Sequence, residues 1–205
     1  MDETAQERFD RVGLRGWPGP AADFEKIAQI SVDLLVARGL EPADRILDVG
    51  AGTLRIGRKL IARQDPGAYV GVEPAELALA AGARSIEDLV RRKRPRLLVG
   101  SRPSFVPVGG FRFALAQSVF SHLPLAQVAA WTRQISQALA PGGQLVFSWF
   151  PGPADYQGQA YAKRAEYRAE TLAGLAEASG LVFEAVPWPH PRLSWAAMIK
   201  PPAEG

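Results

Sequence analysis

One stretch constrains the fold more than any other: "RILDVGAGTLRIGRKL", Arg45 to Leu60. It reads as a short apolar strand, a tight loop with Gly50 and Gly52, and an amphipathic helix. Further strands follow at "YVGVEP", near Leu97–Val99, at "FRFALAQSVF" and at "QLVFSWF". Helical stretches separate them: Thr53–Arg63, roughly Ala75–Arg94, and Leu125–Leu139. In the last, Leu125, Val128, Ala129, Thr132, Ile135 and Leu139 share one face. An earlier helix starts at Ala21, with Phe24, Ile27, Ala28, Leu34 and Leu35 on one face and Gly39 as its stop. Strands that alternate with helices build a parallel sheet covered on both faces. A late helix runs to about Ser179 and stops at Gly180. The last two apolar runs, "LVFEAVPW" and "LSWAAMIK", are separated only by "PHPR". That is too short for a helical crossover, so they form an antiparallel hairpin. The expected fold is α/β: a Rossmann-like, doubly wound, mostly parallel sheet with a C-terminal antiparallel hairpin. Residues 1–20 are expected to form an arm or lid segment, and residues 21–205 a single domain.

Composition narrows the function. The 205 residues are 47% apolar and 22% charged, the mix of a soluble globular chain. There is no cysteine and there are only two histidines, so no disulfide and no metal site is expected. No apolar run reaches the roughly 18 residues that span a bilayer. The N-terminal "MDETAQERFDRVG" lacks the apolar core of a signal peptide. A cytoplasmic protein, monomer or homodimer, is the expectation. The net charge of +3 names no nucleic-acid partner. The run "RRKRPR", Arg91 to Arg96, could meet RNA phosphates. It also suits a helix C-terminus and lacks interleaved aromatics for base stacking.

The glycine loop discriminates between nucleotides. A triphosphate loop needs four residues between its glycines, then Lys-Ser/Thr, and nothing here matches. A dinucleotide fold needs G-x-G-x-x-G, and its third glycine position holds Arg55. What remains is D-x-G-x-G at a strand end, Asp48 to Gly52. Asp48 attracts a cation and repels a pyrophosphate. Glu73 ends the next strand, 21 residues after Gly52, where a carboxylate accepts from ribose hydroxyls. Two acids and a glycine turn suit a cationic amino acid joined to a ribose, the character of S-adenosylmethionine.

These segments resemble the class I S-adenosylmethionine-dependent methyltransferases. "ILDVGAGTLRIG" is similar to their first motif and "YVGVEP" to their second. "FALAQSVFSHLP" resembles the segment after their fourth strand, and "LAPGGQLVFSWF" the turn into their fifth. "VFSHLP" and "PHPRLSW" resemble small bacterial members with undefined substrates. The resemblance implies that Gly50, Ala51 and Gly52 lie under the cofactor, that Asp48 meets its ammonium, and that Glu73 binds its ribose. It also implies that Gln117 and Ser118 lie beside the methionine part. Three departures stand out. Leu54 occupies the usual third glycine, and Phe113 replaces an acid in the fourth strand. The acid that usually binds the adenine amino group is missing, with Ser101 and Ser104 offered in its place.

Ligands of an open parallel sheet bind beyond the carboxyl ends of its strands. That selects Phe120, Ser121, His122, Trp149 and Phe150, and the hairpin turn with Trp188, His190 and Arg192. Tyr156, Tyr161 and Trp17 are candidates for a lid. Phe120, Trp149, Tyr156, Trp188 and Arg192 are the expected substrate contacts. A general base helps if the acceptor is a hydroxyl, and His122 and His190 are the candidates. The expected reaction is methyl transfer to a small or medium-sized hydroxylated acceptor, sugar-containing or a secondary metabolite. Three rivals stay open: an RNA or protein methyltransferase using Arg91–Arg96, a nicotinamide oxidoreductase, and a binding protein without turnover.

Overall fold

The computed structural model describes residues 21–101 and 109–203. The expected arm, Trp17 and Ser104 lie outside the described residues. The chain divides into two compact units, Met1–Ser101 and Arg102–Gly205.

In the first unit, a turn at Ala21–Asp23 leads into α1, Phe24–Ala37. Phe24, Ile27, Ala28, Leu34 and Leu35 are its buried stripe, at the spacing of one helix face. Gly39 at φ 93° ends the helix, and Leu40 N donates to Leu35 O at 2.9 Å. The strands are β1, Ile46–Val49, β2, Tyr69–Glu73, and β3, Arg96–Val99. All are parallel, with Asp48 opposite Gly71. β1 and β2 are buried throughout, as expected for strands covered on both faces.

Two helices differ from expectation. The helix expected from Thr53 is α2, Gly57–Arg63. Gly52 at φ 55° and Leu54 at φ 56° are left-handed, so the chain makes a turn there before it can wind. The helix expected over Ala75–Arg94 is two, α3, Glu76–Ser85, and α4, Glu87–Lys93. Ser85 Oγ donates to Gly82 O at 2.7 Å and takes over a helical carbonyl, and Ile86 leaves helical geometry at φ −131°.

The second unit contains β4, Phe111–Ala116, α5, Leu125–Ala138, and β5, Leu139–Pro151. It continues with β6, Glu166–Tyr167, α6, Ala169–Glu177, β7, Val182–Val186, and β8, Ser194–Ile199. On α5, Val128, Thr132 and Ile135 are buried as expected, and Trp131 joins them. The two-residue β6, beside β5, has no pattern long enough to be read from sequence. β4 and β5 are parallel, β8 is antiparallel to β5, and β7 is antiparallel to β8. The terminal hairpin is therefore present. Because β7 runs with β4 and β5, the turn with Trp188, His190 and Arg192 lies at the carboxyl ends of those strands. The strand order is β3-β2-β1 in the first unit and β4-β5-β8-β7 in the second.

Candidate active site

In the first unit the glycine loop is fixed by its backbone. Gly50 (φ 73°) and Gly52 (φ 55°) take conformations that an L side chain resists. Gly50 N and Ala51 N donate to Val72 O at 2.8 and 3.1 Å. Gly52 N donates to Glu73 Oε2 at 2.8 Å, and Ala75 N to Glu73 Oε1 at 2.9 Å. Both carboxylate oxygens are thus held by amides. Leu54, 1% exposed, adopts the left-handed conformation usually given to glycine, at a cost of about 1–2 kcal/mol.

Asp48 is buried, and Tyr69 Oη donates to its Oδ2 at 2.7 Å. Burial pushes this carboxyl up to about 7. The Tyr69 hydrogen bond opposes that rise, Glu73 adds to it, and Arg55 opposes it. Burial, with the Asp48 charge beside it, also holds the Tyr69 hydroxyl well above its ordinary value. A buried acid beside a second one held by two amides repels a pyrophosphate. The two acids fit the cationic methionine end and the ribose hydroxyls of S-adenosylmethionine. Tyr69 was not foreseen; an aromatic in an otherwise aliphatic strand, 21 residues after Asp48, is the only sequence signal.

The second unit holds a separate polar cluster. Gln117–Phe120 turn after β4, with Ser118 at φ 59°. Ser148 Oγ accepts from Ser118 N at 2.7 Å and fixes this turn. His122 Nδ1 lies 2.8 Å from Ala162 O. A carbonyl only accepts, so Nδ1 carries the proton and Nε2 of the neutral ring keeps its lone pair. Ser118 Oγ lies 3.3 Å from that Nε2, in position to donate to it. The segment holding Ala162 is itself fastened: Ala162 N donates to His122 O at 2.9 Å, and Ala165 N to Ser121 O at 2.8 Å. Tyr161 stacks on the imidazole at 5.0 Å and 14° while remaining exposed.

His190 has the opposite arrangement. Its Nδ1 accepts from Arg192 N at 3.1 Å and Leu193 N at 2.9 Å, so the proton sits on Nε2. Nε2 lies 3.3 Å from the Gln117 amide nitrogen, and since both are then N–H groups, the amide is assigned the turned-over orientation in which its oxygen accepts. Trp195 packs edge-on against the ring at 5.5 Å. The two histidines expected to be catalytic therefore differ: His122 presents a lone pair, whereas His190 presents an N–H.

The expected substrate contacts scatter. Phe120 is wholly buried against Phe147, ring centroids 5.1 Å apart, and fills the core instead of facing an acceptor. Trp149 is 4% exposed, on the face of β5 shared with Phe147 and opposite Ser148. Its Nε1 is buried without a hydrogen-bond partner among the described residues. Tyr156 bonds within its own loop, Oη to Ala160 O at 2.9 Å. Trp188 is half-buried and Arg192 exposed on the hairpin turn. In the basic run, Arg91 pairs with Asp88, Lys93 Nζ donates to Gln64 O at 2.7 Å, and Arg94 at φ 49° ends α4. Ser148, the Ala162 carbonyl and Trp195 went unforeseen, because each acts on a residue far away in sequence.

Among the described residues no group of His, Asp or Glu could hold a metal ion, and no helix is long and apolar enough to cross a membrane. Residues 47–145 match the model of a methyltransferase domain. No curated protein matches the chain at a significant level. Similar solved structures include magnesium protoporphyrin IX methyltransferase of Synechocystis PCC 6803 with S-adenosylmethionine bound. It is 13% identical, with 88% of this chain and 81% of that one covered and a TM-score of 0.66. An amino pentose methyltransferase of Micromonospora echinaspora, involved in calicheamicin biosynthesis, is 19% identical, with 98% of each chain covered and a TM-score of 0.67. DesVI of Streptomyces venezuelae is 18% identical, with 98% and 100% covered and a TM-score of 0.65. Residues 47–145 thus match a methyltransferase domain, on the fold that these S-adenosylmethionine-dependent methyltransferases share.

Proposed function

We propose that the chain methylates an oxygen of a small or medium-sized hydroxylated acceptor, sugar-containing or a secondary metabolite, and that His122 is the general base. The observation that carries this reading is the relay Ser118–His122–Ala162, which fixes the tautomer with the proton on Nδ1 and the basic lone pair on Nε2. The cofactor, when bound, supplies an electrophilic methyl on a sulfonium. His122 Nε2 takes the proton of the acceptor hydroxyl as that oxygen attacks, a contribution of roughly 10²–10⁴ in rate. Its Nδ1–H bond to Ala162 O steadies the imidazolium that forms. An amine acceptor that is already neutral needs no such base, so the arrangement favours oxygen.

In this reading Asp48, Gly50, Ala51, Gly52, Glu73, Gln117 and Ser118 serve the cofactor, with Ser104 near its adenine. His190 donates from Nε2, and its role is orientation. Trp188 and Arg192 on the hairpin turn, with Tyr156 on its loop, meet the acceptor. The buried Trp149 Nε1–H would be satisfied by an acceptor oxygen. Phe120 supports this site from within the core. A single catalytic domain over residues 21–205, with 1–20 as arm or lid, completes the proposal. Two of the similar structures, the amino pentose methyltransferase and the protoporphyrin methyltransferase, act by their names on a sugar and on a flat ring.

The test uses S-adenosylmethionine labelled in its methyl group against a panel of glycosides, phenols, amines and RNA. Label on oxygen of a glycoside or phenol is the expected product. Label found only on amines or RNA would overturn the reading.

A further inference from the structure

The mechanism above leaves one buried pair without a role beyond charge: Asp48 and Tyr69. Tyr69 and Gly71 share a face of β2, and Asp48 sits opposite Gly71 on β1. Since Gly71 lacks a side chain, the Tyr69 ring can lie along the strand and reach Asp48. A Cβ at Gly71 would come within 3.1 Å of Tyr69 Cε1. Gly57, at the start of α2, bounds the slot on its other side: a Cβ there would sit 2.5 Å from the Tyr69 hydroxyl. Two glycines therefore open the slot in which a phenol is laid against a buried acid.

We propose that Tyr69 makes the cofactor seat proton-linked: its hydroxyl holds Asp48 where the ionised carboxylate meets the cationic end of S-adenosylmethionine, so binding expels a proton from Asp48 to solvent. The proposal rests on S-adenosylmethionine being the cofactor. Tyr69 is a positioning residue here, acting through Asp48. The ionisable groups that act on Asp48 are Tyr69 and Glu73 on β2 and Arg55 on the glycine loop. Burial leaves the free carboxyl half-protonated near neutrality, and an incoming cation tips it to the charged form. The Tyr69 hydroxyl, which stays protonated, remains a donor throughout.

The experiment is calorimetric titration of the full chain with S-adenosylmethionine from pH 5.5 to 7.5, in buffers of different ionisation enthalpy. The window stops there because the cofactor's own α-amino group titrates at about 7.7–8.0. Wild type should bind roughly tenfold more tightly per pH unit at the acid end. It should release about one proton per cofactor at pH 5.5, falling to about a quarter at pH 7.5. Tyr69→Phe, which removes one oxygen, should weaken binding several-fold at pH 7 and move the proton release to higher pH. Gly57→Ala should act in the same direction, and should add less in a Tyr69→Phe background, where the crowded oxygen is gone and Leu54 Cδ2, at 2.9 Å, is the closest contact left. Binding that is flat across the window, without proton release, or that is indifferent to Tyr69→Phe, would overturn the proposal. Absence of binding by wild type at every pH would remove the cofactor itself, and the proposal with it.

Discussion

The two units build their functional groups by opposite means. In the first, the backbone does most of the work: left-handed glycines and four loop amides set the positions of Glu73 and the strand ends. In the second, side chains meet across long separations. His122 depends on Ala162, 40 residues on, and Gln117 faces His190, 73 residues on. In the proposed reading the first unit grips the cofactor, and the second, apart from Gln117 and Ser118, addresses the acceptor. A cofactor of fixed shape can be met by a short, rigid loop. An acceptor that differs between related enzymes is met by groups that loops can rearrange while the sheet stays constant.

The largest effect belongs to the second unit. His122→Gln should lower kcat by about 10²–10⁴ and leave the affinity for S-adenosylmethionine unchanged. Steady-state kinetics beside cofactor titration measures both quantities. An equal loss of cofactor affinity would blur the comparison.

Asp48→Asn sharpens the other side. Asp48 is raised in the folded chain from 3.8 to about 7, so between those values the folded state holds more protons than the unfolded one. Stability therefore falls as pH rises through that window, by up to about 4 kcal/mol above it. Asp48→Asn should recover much of this at pH 8 and little at pH 4, while losing cofactor affinity. Denaturant melts at several pH values test the sign. Constant stabilisation at all pH values would mean that the carboxyl is not the cause.

Glu73→Gln should come next. It replaces a carboxylate that accepts from two backbone amides and, in the complex, from ribose hydroxyls. Cofactor affinity should fall by about 1.5–3 kcal/mol, with kcat at saturation kept.

Leu54 offers a smaller and more diagnostic test. At φ 56°, Leu54→Gly should be about 1 kcal/mol more stable than Leu54→Ala, the reverse of the usual order, although both lose the buried leucine. Equal stabilities by chemical denaturation would deny the strain.

The smallest effect concerns the loop that holds Ala162. Asp155 accepts from Arg168 N, Arg168 Nη2 and Thr171 Oγ1, which ties the loop to the start of α6. Burial works against the charge, but these bonds hold the carboxyl below its ordinary value. Its stabilising contribution is present above the ordinary carboxylate value and fades as pH falls below it. Asp155→Asn should leave global stability within about 1 kcal/mol and speed proteolysis between Gly152 and Ala165 at pH 7.

The same division explains what could be read from the sequence. The alternating strands, the terminal hairpin and the Asp48–Gly52 loop were legible because periodicity and turn chemistry act over a few residues. Helix edges were lost where one residue overrode the pattern, as with left-handed Leu54 and the Ser85 hydroxyl. Phe120 resembled a mouth residue by position, and only packing against Phe147 shows it to be core. Ser148 and the Ala162 carbonyl carry no local signal, because a backbone oxygen has no residue type. The roles of the two histidines could not be separated from sequence. Their difference lies in which nitrogen meets a carbonyl and which meets an amide.

The most direct test of the central claim is a parallel kinetic measurement of label transfer from S-adenosylmethionine by wild type, Glu73→Ala and His122→Gln, on an acceptor found in the panel. The account predicts a clean split: Glu73→Ala raises the KM for S-adenosylmethionine, whereas His122→Gln lowers kcat with that KM unchanged. If both substitutions move the same parameter, or if His122→Gln turns over like wild type, the assignment of cofactor grip and base is wrong.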